Sequence, residues 1–166
     1  ADSLKSLEVV GMGLGDLVWD AMDLYAPYRK IVSNLGLTMF QVMGNHDFNL
    51  LYSDMERTAD PENGYGEKNY YEIFGPTNYS FNIGKVHVIA MKSTDYEGKK
   101  KYVERFTEEQ LEWLKKDLSY VPEGTTVFLN IHAPVANTTV EGGDNVRNAN
   151  ALFRILRPYK VHIFSG

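Results

Sequence analysis

Residues 38–47 read TMFQVMGNHD, and their pattern indicates the class of fold. Its first six residues, Thr38 to Met43, are mostly apolar and predict a short buried strand that ends at Gly44. Three polar residues follow at once, namely Asn45, His46 and Asp47. Ligands of open α/β sheets bind outside the carboxyl ends of the strands, so this pattern predicts a polar site at one end of a sheet.

Two further strands are predicted to end in the same way. The apolar run from Leu7 to Leu14 leads to Gly15 and Asp16, and the run from Val127 to Ile131 leads to His132. Three strand ends could therefore bring a carboxylate, an amide oxygen and an imidazole to one point. Such a donor set makes a divalent-cation site.

The rest of the chain alternates predicted strands and helices, which is typical of an α/β domain with a largely parallel sheet. Helical spacing runs from Leu17 to Leu35, and Pro27 is expected to bend this helix or to split it near Ala26. Thr107 and Gln110 have the spacing of a capping box at a helix start. The other predictions are a β-hairpin of Tyr79–Ile83 and Val86–Lys92, a loop excursion within residues 49–78, a helix over Ala149–Leu156 and a strand over Val161–Phe164.

Composition narrows the classes of function. The 166 residues are 43% hydrophobic and 23% charged, which indicates one globular domain. The net charge of −5 argues against a basic nucleic-acid footprint. There is no cysteine, so any metal must bind to His, Asp, Glu or Asn side chains. No apolar run reaches the length of a membrane span.

Four blocks of the sequence carry a family resemblance. Gly44–Asp47 matches a GNH(D/E) signature, and Gly15–Asp20 (GDLVWD) matches a GDxxx(D/N) block. His132 resembles an isolated histidine on a later strand, and Val161–Gly166 resembles the strand that leads into a GHxH block. In this order and spacing the chain resembles the calcineurin-like metallophosphoesterases. The resemblance implies a β-sandwich flanked by helices.

The same resemblance implies that the domain is incomplete at both ends. No Asp-x-His motif precedes Asp16, and the two histidines of GHxH would lie beyond Gly166. Residues 1–166 are therefore expected to be the central portion of a single calcineurin-like phosphoesterase domain, and an inactive or impaired piece of it. The expected activity is hydrolysis of a phosphate ester, on a small molecule or a macromolecule, by a bridging hydroxide that attacks phosphorus.

The resemblance also assigns roles to the site residues. Two divalent metal ions, with Mn, Fe or Zn favoured over Mg by the ligand types, would be bridged by Asp16. Asn45 and His132 would bind the second metal. His46 would protonate the leaving oxygen, and Asp47 would accept a hydrogen bond from the other ring nitrogen and so fix the tautomer.

Asp20 would lie on the following helix, outside the ligand set. Simpler interpretations of the ligands stay open. Asp16 could merely cap the helix expected to begin at Leu17, and Asn45 and His132 could be turn residues at strand ends. The chain would then be a non-catalytic α/β fragment, or a degenerate family member that binds a metal or a partner. Exposed sheet edges could also pair two copies of the chain into a homo-oligomer. The sequence leaves the cellular location open.

Overall fold

A four-stranded sheet forms the centre of the computed structural model, which describes residues 9–48, 67–98, 101–135 and 145–166. The strands of these ranges are β1 Val10–Gly13, β2 Thr38–Gln41, β3 Asn78–Ile83, β4 Val86–Met91, β5 Thr94–Gly98, β6 Lys101–Glu104, β7 Thr126–Ile131 and β8 Lys160–Ser165. The helices are α1 Tyr25–Ser33, α2 Glu67–Phe74, α3 Glu108–Leu118 and α4 Ala149–Leu156. The central sheet has the order β3-β4-β7-β8, in which only β3 runs antiparallel to its neighbour.

The two best-defined local predictions are confirmed. β3 and β4 form the predicted hairpin, and its turn contains Gly84 at a φ of 56°, a backbone conformation that glycine adopts without steric cost. The capping box is present at the start of α3. The Gln110 amide N–H donates to the Thr107 hydroxyl, and the Thr107 amide N–H donates to the Gln110 side chain.

One face of the central sheet carries the main hydrophobic core. Side chains alternate along a strand, so Ile89, Leu129 and Ile131 point to the same face, where α3 and α4 cover them. The helices contribute the stripe that their periodicity predicts, with Leu114 and Leu152 fully buried.

A second, two-stranded parallel sheet lies against the opposite face. It pairs β1 with β2 in the register Val10 to Thr38. The ring of Phe40 on β2 stacks on Phe81 of β3 at 4.1 Å between centroids. The Tyr79 hydroxyl donates to the carbonyl of Gln41 at 2.8 Å. Two sheets packed face to face, with helices outside, agree with the predicted sandwich.

Other elements differ from the sequence predictions. Regular helix begins only at Tyr25, because residues 17–21 form turns, and Pro27 lies in the first helical turn where a missing N–H costs little. The loop predicted within residues 49–78 contains α2, while residues 49–66 lie outside the described part. The β5–β6 hairpin was not predicted. Among the helices of the described ranges, none is long and apolar enough to cross a membrane.

Candidate metal centre

The three strand ends singled out in the sequence meet at one end of the two sheets. β1 and β2 are parallel neighbours, and the Val42 amide extends their pairing by donating to the Gly13 carbonyl at 2.8 Å. Asp16 and Asn45 therefore leave adjacent strands on the same side. His132 follows β7 in the facing sheet and reaches the same place.

The side chains of the three predicted ligands are in contact. Nε2 of His132 lies 2.9 Å from Oδ1 of Asn45 and 3.4 Å from Oδ1 of Asp16. His132 and Asn45 are separated by 87 positions in the sequence. The fold thus brings together a carboxylate, an amide oxygen and an imidazole, as predicted.

Neighbouring groups fix which atoms face the shared point. Nδ1 of His132 lies 2.7 Å from the carbonyl of Leu14, which can only accept, so Nδ1 carries a proton. Nδ2 of Asn45 donates to the Tyr102 hydroxyl at 3.1 Å, which turns Oδ1 toward His132. An imidazole nitrogen and two oxygens then face one another, all of them acceptors when His132 is neutral.

Three converging acceptors require a positive charge between them. A proton on Nε2 of His132 meets that need, and so does a cation. Burial acts to lower the pKa of His132, but hydrogen bonds to Asp16 and the Leu14 carbonyl and the charge of Asp16 outweigh it and raise the pKa. Burial acts to raise the pKa of Asp16, yet its bond to His132 and the charge of that ring bring the pKa below its ordinary value. The donor set therefore fits a divalent cation.

Asn45 is essential to this donor set. Within the described ranges of the chain, no group of three His, Asp or Glu side chains is placed to hold a metal ion by itself. Asp16 and His132 supply two such groups, and the third donor is the amide oxygen of Asn45.

Glycines precede two of the ligands because the site is crowded. Gly15 has a φ of 99°, and a Cβ there would lie 2.5 Å from Nδ1 of His132. A Cβ at Gly44 would collide with Oδ1 of Asp16. The Gly-Asp and Gly-Asn pairs in the sequence thus allow two backbone segments and the His132 ring to approach closely.

His46 lies beside the ligands with its ring fixed on two sides. Its Nδ1 is 2.6 Å from Oδ2 of Asp20, whose side chain is 1% exposed. Its ring stacks on the indole of Trp19 at 3.7 Å between centroids and 16° between planes. Its backbone N–H donates to Oδ1 of Asp16 at 3.0 Å. Nε2 makes no hydrogen bond to the described residues, so it can donate to or accept from a ligand.

The prediction that Asp47 accepts a hydrogen bond from the His46 ring is wrong. Asp47 does not contact the imidazole, and Asp20 takes that position. Asp47 is fully buried and accepts from the amides of Gly44 at 2.9 Å and Leu17 at 3.0 Å and from the Tyr25 hydroxyl at 3.1 Å. Asp47 therefore ties the two ligand-bearing loops together. Burial raises the pKa of Asp47 to about 6, although the Gly44 and Tyr25 hydrogen bonds act in the opposite sense.

The loop after Asp16 has an unusual backbone. Asp16, Trp19 and Asp20 have φ values of 53°, 45° and 64°, in the left-handed region that side-chain-bearing residues rarely adopt. Each such residue costs on the order of 1 kcal/mol or more, and such strain clusters at functional sites. Sequence reasoning missed the role of Trp19 and that of Tyr102; the available signal for Trp19 was its place inside the GDLVWD block.

Comparison with known proteins identifies the family of this chain. The family model for calcineurin-like phosphoesterases matches residues 10–166. The chain belongs to the calcineurin-like phosphoesterase family. This family member is also similar in structure to a dimetal phosphatase from Danio rerio, with a TM-score of 0.61 and 16% sequence identity. At that identity the likeness supports the fold alone.

The aligned region covers 93% of this chain and 65% of the Danio rerio protein. The chain thus spans just under two thirds of the length of this structural neighbour. No curated protein matches the sequence at a significant level. The family is one of metal-dependent phosphoesterases. The activity of this chain and the roles of its individual residues are proposals.

Proposed function

We propose that this chain carries the part of a phosphoesterase active site in which Asp16, Asn45 and His132 bind a divalent cation and His46 acts as general acid. One observation carries the proposal: Nε2 of His132 faces Oδ1 of Asn45 at 2.9 Å and Oδ1 of Asp16 at 3.4 Å, with its other nitrogen bonded to Leu14. A mere turn at each strand end would not need three acceptors aimed at one another.

The ligand types favour particular metals. One imidazole with oxygen donors suits Mn, Fe or Zn better than Mg, which prefers oxygen and water alone. Asp16 uses Oδ1 for its contacts with His46 and His132, and Oδ2 has no partner among the described residues. That free oxygen supports the proposal that Asp16 bridges two cations. When bound, the two cations would offset the negative charge of a phosphate ester.

His46 is suited to deliver a proton. Asp20 accepts from Nδ1–H, which leaves Nε2 to donate from the protonated ring. In the proposed reaction the oxygen of water bonds to phosphorus and the water gives up one proton to solvent. The bond from phosphorus to the leaving oxygen breaks, and that oxygen takes the Nε2 proton of His46. Such proton transfer typically contributes ~10²–10⁴ in rate.

Metal binding and hydrolysis test separate parts of the proposal. Calorimetric titration of the chain with Mn²⁺ should give a saturable site that Asp16→Asn and His132→Ala weaken strongly. His162→Ala is the matched control, because this exposed histidine on β8 contacts Phe128 and no site residue. Equal affinity in His132→Ala and His162→Ala would refute the ligand assignment.

Hydrolysis of an aryl phosphate with Mn²⁺ tests the general acid. His46→Ala should keep most of the metal affinity and lose nearly all the rate. Asp16→Asn should lose both. An unchanged rate in either variant would refute its assigned role.

A binding module is the second candidate. The ligand set found among the described residues serves one cation, with Asp16 alone shared toward a second. A chain of this kind would bind Mn²⁺ yet hydrolyse no phosphate ester faster than buffer. Metal binding without turnover would favour the module, and metal-dependent turnover would favour the enzyme.

A further inference from the structure

Trp19 lies beside the proposed acid with its indole largely open. Its side chain is 58% exposed, which is unusual for so large a hydrophobic residue. One ring face stacks on His46 at 3.7 Å, and among the described residues no other ring stacks on the indole. The opposite face is therefore available to a ligand.

The backbone of Trp19 adopts a conformation that tryptophan disfavours. Its φ of 45° lies in the left-handed region, where a bulky residue is a clear outlier. Asp16 and Asp20, one in the metal site and one on the His46 ring, share that conformation. The strained loop thus presents a ligand, a positioning carboxylate and an exposed indole together, and the indole adds little to the core.

We propose that the free face of Trp19 binds a planar ring of the leaving group, and that the preferred substrates are nucleoside 5′-phosphates. This inference rests on the proposed function. It assigns Trp19 as the residue that selects the substrate at the same site. Aromatic side chains stack with any nucleobase because every base has a π face.

The distance between the free face of Trp19 and Nε2 of His46 favours a base carried on a sugar over a ring joined directly to the scissile oxygen. A planar ring packed on the free indole face at ordinary van der Waals distance would lie about 7 Å from the His46 ring. The leaving oxygen must come within hydrogen-bond reach of Nε2, roughly 3 Å. A pentose spans the gap between these two points. An aryl phosphate could still reach Nε2, but its ring, bonded directly to the leaving oxygen, would lie too near His46 to stack on the free face of Trp19.

Fluorescence tests the contact without relying on turnover. The chain has two tryptophans, and Trp113 on α3 packs against the main core. In Trp113→Phe the signal comes from Trp19 alone. With Zn²⁺ present, adenosine 5′-monophosphate should quench this signal saturably and ribose 5-phosphate should not. In Trp19→Phe, which keeps only Trp113, neither ligand should quench.

Equal responses to the two ligands, or no response to adenosine 5′-monophosphate, would overturn the inference. The pair is matched, since ribose 5-phosphate keeps the phosphate and the sugar and lacks only the base. A response of Trp113 equal to that of Trp19 would also overturn it, because the base would then bind elsewhere.

Kinetics separate substrate selection from positioning of His46. Trp19→Ala should lower kcat/KM for adenosine 5′-monophosphate about tenfold more than for ribose 5-phosphate, in line with the loss of one stacked base. Trp19→Tyr should restore most of the preference. An equal loss for both substrates would mean that Trp19 only holds His46, and the proposal would be wrong.

Failure of this inference can be distinguished from failure of the proposed function. Failure of the phosphoesterase proposal would appear as unchanged Mn²⁺ affinity in Asp16→Asn and His132→Ala. Failure of the Trp19 proposal would leave those results intact and remove only the difference between the two phosphate esters.

Discussion

Removing one oxygen atom from Tyr102 should weaken the metal site without disturbing the fold. The Tyr102 hydroxyl accepts from Nδ2 of Asn45 at 3.1 Å and so decides which end of the amide faces His132. In Tyr102→Phe that restraint is gone, and the Asn45 amide can rotate by half a turn. Its Nδ2 would then lie where Oδ1 now lies, 2.9 Å from Nε2 of His132.

The rotated amide would satisfy a neutral His132 without any cation. It would donate to Nε2, and the cation would lose one oxygen ligand unless the amide turns back. Residues that orient a metal ligand typically contribute 10–100-fold in metal affinity. Tyr102→Phe should therefore raise the Mn²⁺ dissociation constant by about 10–100-fold, or roughly 1.4–2.7 kcal/mol.

Isothermal titration calorimetry with Mn²⁺ measures this change. Tyr120→Phe makes the same substitution at a residue that is 73% exposed and lies after α3, and it should leave affinity unchanged. Far-ultraviolet circular dichroism should be the same in all three proteins. Wild-type Mn²⁺ affinity in Tyr102→Phe, or an equal loss of Mn²⁺ affinity in Tyr120→Phe, would refute this role of Tyr102.

Four other predictions concern stability and association. In metal-free protein, the pKa of Asp16 is lowered and that of His132 is raised. Asp16 therefore contributes stability that is lost as pH falls below 3.8, and His132 contributes stability that is lost as pH rises above 6.5. The difference in Tm between wild type and His132→Ala, measured in chelator, should therefore peak between these pH values; a flat difference would contradict the ion pair. Leu114→Ala should cost about 2–5 kcal/mol in urea unfolding, since Leu114 is fully buried under the central sheet. Thr107→Ala should cost about 1 kcal/mol in the same assay by removing the capping box, and restoration by Thr107→Ser is the control. Among the described strands, β8 lies at an edge of the central sheet. If this edge pairs two copies of the chain, sedimentation should detect a dimer, and Phe164→Lys, at an exposed position of β8, should weaken it.

The ligand residues could be predicted because local rules place them. Short apolar runs that end in glycine and a polar residue predict buried strands, and the carboxyl ends of parallel strands meet at one edge. Asp16, Asn45 and His132 follow such runs, so their meeting required only that the strands share an end. The hairpin of β3 and β4 and the capped start of α3 depend on equally local chemistry.

The positioning residues could not be predicted in the same way. Asp20 and Asp47 are both carboxylates near His46 in the fold, and the sequence does not distinguish which one meets the ring. The choice depends on left-handed backbone conformations at Asp16, Trp19 and Asp20, which no periodicity indicates. The same turns delay the start of α1 to Tyr25. Tyr102 reaches Asn45 across 57 positions from a hairpin that the sequence pattern did not predict.

Anomalous diffraction from crystals of the Zn²⁺-loaded chain would examine the shared cation most directly. An anomalous peak is expected about 2.0–2.2 Å from Nε2 of His132, from Oδ1 of Asn45 and from a carboxylate oxygen of Asp16. A peak bound elsewhere, or crystals of loaded protein in which these three side chains still contact one another with no metal between them, would contradict it.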